Sequence, residues 1–107
     1  MSVRFKHYQS GGLYGIRYVF DQAGDTVPEH VHDLSSVHNV ICLWGMVSVR
    51  FQGHASIVGR GQILDFDGTC RHKIVALEPS AILNLFLNGM PEGYDRLPVT
   101  ELEGILE

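Results

Sequence analysis

The chain has 107 residues, twelve glycines, four prolines and a nearly half-apolar composition, which suits one folded domain spanning residues 1–107 rather than a disordered segment. Its formal charge of −4 is spread without runs of like sign, so neither a nucleic-acid footprint nor a polybasic membrane patch is expected, and the expected partner is a small molecule. Two cysteines are too few for a disulfide framework. Residues 1–10 lack the apolar core of a signal peptide, and no apolar run reaches the roughly 18 residues of a membrane helix, so a cytoplasmic setting is expected.

In chain order, residues 13–20 are rich in β-branched and aromatic side chains and predict a strand. A turn cluster at 21–25 follows, then a segment holding His30 and His32, then a loop at 33–36. Residues 37–44 predict a strongly apolar strand ended by Gly45, and 46–51 alternate with a period of two. Gln52-Gly53 turns the chain into a short strand at 54–58, and Gly59-Arg60-Gly61 turns it again. Further strands are expected at 62–66, 71–77 and 81–87, separated by turns at 67–69 and 78–80 and followed by Asn88-Gly89. Residues 98–106, with Glu101 and Glu103, predict a short helix. Short strands at even spacing with a turn signal between each pair predict an all-β sandwich or barrel.

His30 and His32 stand at i and i+2, which on a strand places both on one face about 6.5–7 Å apart. Two imidazoles so placed can converge on one ion at about 2.0–2.1 Å per bond. Six histidines in a chain of this length make one such pair unexceptional, and two strand histidines at the surface are the competing reading.

The wider pattern carries more. Gly24-x5-His30-x-His32, followed by His38-x6-Gly45, resembles the first motif of the cupin superfamily, and Gly61-x5-Asp67-x-Thr69-x2-His72 resembles the second. The two motifs span 24–45 and 61–72. The resemblance implies a small single-domain cupin barrel (a double-stranded β-helix, or jelly roll) of the RmlC-like type. It also implies one divalent transition metal held by His30, His32, His38 and His72. The sequence departs from the family pattern in several places. His38 replaces the usual glutamate, and five residues separate it from His32 where three or four are usual. Asp67 stands for a proline, Thr69 for a glycine and Ala76 for the final asparagine.

Exchanging a carboxylate for neutral imidazole leaves the site nearer +2 and softer, which suits iron, copper, nickel or zinc, with manganese also open. The competing reading for His38 is a strand histidine facing outward, and for His72 a surface residue between Arg71 and Lys73. Cys42 shares strand parity with His38 and is a candidate for lining the pocket, against a buried and inert thiol. Asn84, amid apolar neighbours, is a second pocket candidate, against a side chain in water. His7 and His54 read as solvated, and the faces taken by Tyr14, Tyr18, Arg50 and Tyr94 are not assigned by pattern.

Two functional classes follow. One is a metalloenzyme (a dioxygenase, or a lyase or isomerase) acting on a small organic substrate. The other is a non-catalytic cupin that binds a small ligand or a metal as a sensor. Small cupins are often dimers, and residues 13–20 offer an apolar edge to protect, so a homodimer through strand contacts is expected.

Overall fold

The computed structural model describes residues 3–10, 13–30, 37–67, 71–87 and 102–106. Among the described residues ten strands follow one another: β1 Val3–Ser10, β2 Leu13–Phe20, β3 Thr26–His30, β4 Val37–Trp44, β5 Met46–Phe51, β6 His54–Gly59, β7 Ile63–Asp67, β8 His72–Ala76, β9 Ser80–Leu87 and β10 Leu102–Leu106. They form a six-stranded sheet in the order β10-β1-β2-β9-β4-β7 and a four-stranded sheet in the order β3-β8-β5-β6. Every pairing is antiparallel. Among the described residues no helix is long and apolar enough to cross a membrane.

Alternation explains why these segments are strands and which way they face. Ile16, Tyr18 and Phe20 of β2, Val40 and Cys42 of β4 and Ile82 of β9 are buried on one face of the larger sheet. Val47 and Val49 of β5, Val58 of β6 and Ile74 and Ala76 of β8 answer them from the smaller sheet. These residues form one hydrophobic cluster that also takes in Val3, Val27 and Phe66. Each of the larger side chains contributes about 1.5–3 kcal/mol when fully buried.

The turns are built as the sequence indicates. In the 21–25 cluster, Asp25 accepts a hydrogen bond from the Gln22 amide through Oδ2 at 3.1 Å, and the Thr26 hydroxyl donates to the Gly24 carbonyl at 2.8 Å. Gln52 and Gly53 both have positive φ, 49° and 73°, the backbone that a tight antiparallel hairpin requires. Gly45 (φ 83°) separates β4 from β5, and a Cβ there would overlap Ser80 Oγ and the Pro79 carbonyl and lie 2.7 Å from Ser80 Cα. That close approach lets the buried Ser80 hydroxyl accept the Met46 amide at 2.9 Å and donate to the Glu78 carbonyl at 2.7 Å.

Three expectations are corrected. The described part of 98–106 is a strand, because Leu102–Leu106 extends the sheet along β1, from His7↔Leu102 to Val3↔Leu106. Backbone pairing outweighs the helical preference of the glutamates there. His7, read as solvated, is instead half-buried on the strand formed by residues 3–10, with its ring edge-on to Phe5 at 5.2 Å. Finally, β2 is no edge: it lies between β1 and β9, so it gives no reason for a dimer. The expected loop at 33–36 and the turns at 68–69 and 88–89 lie outside the described residues.

Candidate metal centre

His72 opens β8, and with Ile74 and Ala76 it forms the inward row of that strand. It is fully buried, which overturns the reading of a surface histidine between Arg71 and Lys73. An apolar interior tolerates an imidazole only where its nitrogens gain interactions. The ring packs edge-on against Phe66 of β7 at 4.8 Å, and Phe66 stacks on Phe51 at 5.2 Å. Phe51 is in turn the direct cross-strand partner of His72.

Position 30 lies directly opposite position 72 in the β3–β8 ladder. A regular strand would not have put it there. Val27 faces Ile74, and counting evenly from that pair sets residue 29 against 72. The register shift between Val27 and His30 inserts one extra residue, with Pro28 and Glu29 both exposed on the bulge. Proline is tolerated at this point because β3 is the edge of its sheet and the ladder is already interrupted.

Position 38 belongs to the opposite sheet. It falls in the same parity as the buried Val40 and Cys42, and its cross-strand partners are Phe66 on β7 and Phe86 on β9. Phe66 therefore links the two sheets here: its backbone pairs with position 38 and its ring touches His72. Of the four expected ligand positions, 38 and 72 are thus each next to Phe66, and 30 is the ladder partner of 72. His32 and the side chains of His30 and His38 lie outside the described residues. Among the described residues no three His, Cys, Asp or Glu side chains form a metal-binding group.

Asn84 sits on β9, directly across from Val40, one inward position along from the Phe86–His38 pair. It is 1% exposed, and its Oδ1 has no hydrogen-bond partner among the described residues. A buried carbonyl oxygen without a donor costs about 1–3 kcal/mol. The sequence marked Asn84 as a polar residue in an apolar strand, and the structure puts it inside rather than in water.

Cys42 is 1% exposed on the same face. Its thiol donates toward the Trp44 carbonyl at 3.3 Å and lies 3.5 Å from that of Gly45. Burial first, and the nearby Glu78 charge second, raise its pKa, which keeps the thiol protonated and unreactive. Of the other candidates, Tyr18 is buried, with burial pushing its pKa up to about 12, while Arg50 and His54 are exposed. Tyr94 and the side chain of Tyr14 lie outside the described residues.

Known proteins resemble this arrangement in shape. No family model matches the sequence, and no curated protein matches it either. Among solved structures, 118 chains match. An RmlC-like cupin from Desulfovibrio desulfuricans superposes with a TM-score of 0.69 at 20% identity, covering 77% of this chain and 79% of that one. KdgF from Halomonas sp. gives 0.70 at 22% identity, over 88% of this chain and 84% of its own. The cupin_2 domain of an XRE family transcriptional regulator from Enterobacter cloacae gives 0.68 at 13% identity, over 83% and 98%. At these identities the likeness is one of fold.

Proposed function

For a chain with the cupin fold, we propose a metal centre held by His30, His32, His38 and His72, at which a small organic substrate is transformed. The observation that carries this reading is the register of His30 against His72, reached through a bulge, with position 38 joined to them by way of Phe66. The donor set fits a divalent transition ion, since imidazoles in a dry interior offer neutral nitrogen ligands and leave the ion's charge largely uncompensated. When bound, such an ion acts as a Lewis acid toward an enol, hydroxyl or carboxylate oxygen, or as a site for dioxygen.

The chain's own residues supply position and exclusion. Phe51 and Phe66 shield the His72 ring and hold its plane. Asn84 offers Oδ1 as a hydrogen-bond acceptor to a donor group on the substrate, one inward position from the histidine end. Cys42, kept as a protonated thiol, takes no part as a nucleophile in this reading. Because one barrel serves many functions, the choice between oxygenase and lyase or isomerase follows from the metal's identity.

The test is elemental analysis of protein purified without a metal column, for the parent and for His72→Ala and His38→Ala, with circular dichroism as a control for folding. Near-stoichiometric metal in the parent, lost in folded variants, is the expected result. A parent that stays metal-free after reconstitution overturns the proposal, and the ligand-binding sensor module becomes the better reading.

A further inference from the structure

The outer face of the four-stranded sheet carries a second feature, turned away from the buried side chain of His72 although Phe51 also reaches its lining. Arg50 on β5 and Lys73 on β8 are direct cross-strand partners, and alternation turns both away from the buried Val49 and Ile74. Like charges placed opposite each other in an antiparallel ladder repel. Arg71 continues the row of Lys73 one pleat further along. Beside the β5–β6 hairpin these three, together with Gln52 and His54, line an open depression of about 650 Å³. Glu29, on the β3 bulge, is the one carboxylate among the described residues lining it.

Among the described residues the wall thus sets three basic side chains against one acidic one, in a chain of formal charge −4. Among the described residues none of Arg50, Arg71 and Lys73 has a salt-bridge partner, whereas Arg4 and Asp21 elsewhere on the surface pair at 2.8 Å. Repulsion across a ladder is relieved when an anion sits between the two charges. The two side chains rise from positions about 5 Å apart, a spacing that one compact oxyanion can bridge. Arginine adds a planar fork that binds two oxygens at once.

We propose that this depression binds a compact multivalent oxyanion, carried on a phosphate-bearing or dicarboxylate small molecule, between Arg50 and Lys73 with Arg71 as the third contact. The inference does not depend on the metal centre, which lies on the inner face. Exposure makes the site salt-sensitive, because separated surface charges are screened over about 8–10 Å at ordinary ionic strength.

The experiment is amide chemical-shift titration of the full chain with inorganic phosphate, and separately with succinate, at ionic strength held constant with sodium chloride. Saturable shifts confined to residues 50–55 and 71–73 are expected, and whichever probe binds more tightly identifies the source of the anion. An Arg50→Gln/Lys73→Gln double variant is expected to weaken binding at least tenfold and to be no less stable than the parent in chloride alone. Glu29→Gln is expected to tighten binding several-fold. Absence of saturable shifts with both probes, or equal binding by the double variant, overturns the proposal.

Discussion

His30 and His72 face each other across the β3–β8 ladder only because one extra residue is accommodated at Pro28–Glu29. In a sheet with one buried face, a slip of one residue exchanges the inward and outward rows. The bulge therefore settles which residue of β3 meets the buried histidine. Deleting Glu29 is expected to restore an even ladder from Val27↔Ile74 to His30↔His72 and to leave metal content as in the parent. Inserting one alanine between Glu29 and His30 is expected to break that pairing and abolish metal uptake while the circular dichroism spectrum stays β-rich. Equal metal content in both variants, by elemental analysis, would show that this register is immaterial.

Two glycines with similar backbones predict different costs. Gly45 and Gly53 have φ of 83° and 73°, but a Cβ at Gly45 runs into Ser80 and Pro79, while nothing lies within 4 Å of one at Gly53. Gly53→Ala is expected to cost about 1–2 kcal/mol, the left-handed penalty alone. Gly45→Ala adds overlap with backbone and endangers the Ser80–Met46 bond, for roughly 3 kcal/mol or more. Urea unfolding of the two variants side by side measures the difference, and equal losses would contradict it.

Asn84 predicts a gain. Replacing it with leucine removes the buried Oδ1 that finds no donor, so Asn84→Leu is expected to raise stability by about 1 kcal/mol. Metal content should be unchanged, since position 84 is not among the proposed ligands. A drop of more than 1 kcal/mol in chemical unfolding would mean that the amide is satisfied in the native state.

The alkaline limb of stability belongs partly to Tyr18. Its phenol ionises near 10 in an unfolded chain, and burial in the fold pushes it up to about 12. A raised folded value means that the contribution is complete below pH 10 and drains away between 10 and 12. Cys42 shifts in the same direction for the same first cause. Absorbance titration at alkaline pH should show a tyrosine step delayed toward 12, and Tyr18→Phe should remove that step. A parent whose titration is indistinguishable from that of Tyr18→Phe apart from amplitude, with no delayed step, would refute it.

Strands β2 and β4 to β9 were readable because apolar side chains recur every second residue between glycine and proline turns, and that spacing survives folding. The terminal strands were harder for opposite reasons. In β1 the inward row, Val3, Phe5 and His7, is interleaved with Arg4 and Lys6, and a charged end looks like a solvated tail until a neighbour is known. In β10 the local preference of Glu103 and Leu102 is helical, and only the unpaired edge of β1 makes the extended form favourable. At the candidate site, the motif resemblance pointed to His30, His32, His38 and His72, but burial of His72 and its contact with Phe66 arise from two sheets meeting, which spacing does not encode. The anion-lining row had no signal of its own, since Arg50 and Lys73 are neighbours only through the β5–β8 register.

Strand β9 joins the larger sheet together, pairing with β2 on one side and β4 on the other. Both of its neighbours are made long before it, and β1 and β2, a local hairpin, have no other partner until β9 and β10 arrive. Such distant pairings incur loop-closure entropy before they are rewarded, which slows folding. A ribosome releasing this chain therefore holds, until residue 87 has emerged, two separated pieces of a sheet with apolar faces open to the cell. The period of greatest exposure to chaperones and to aggregation falls just before β9 emerges, and slowing translation there would lengthen it.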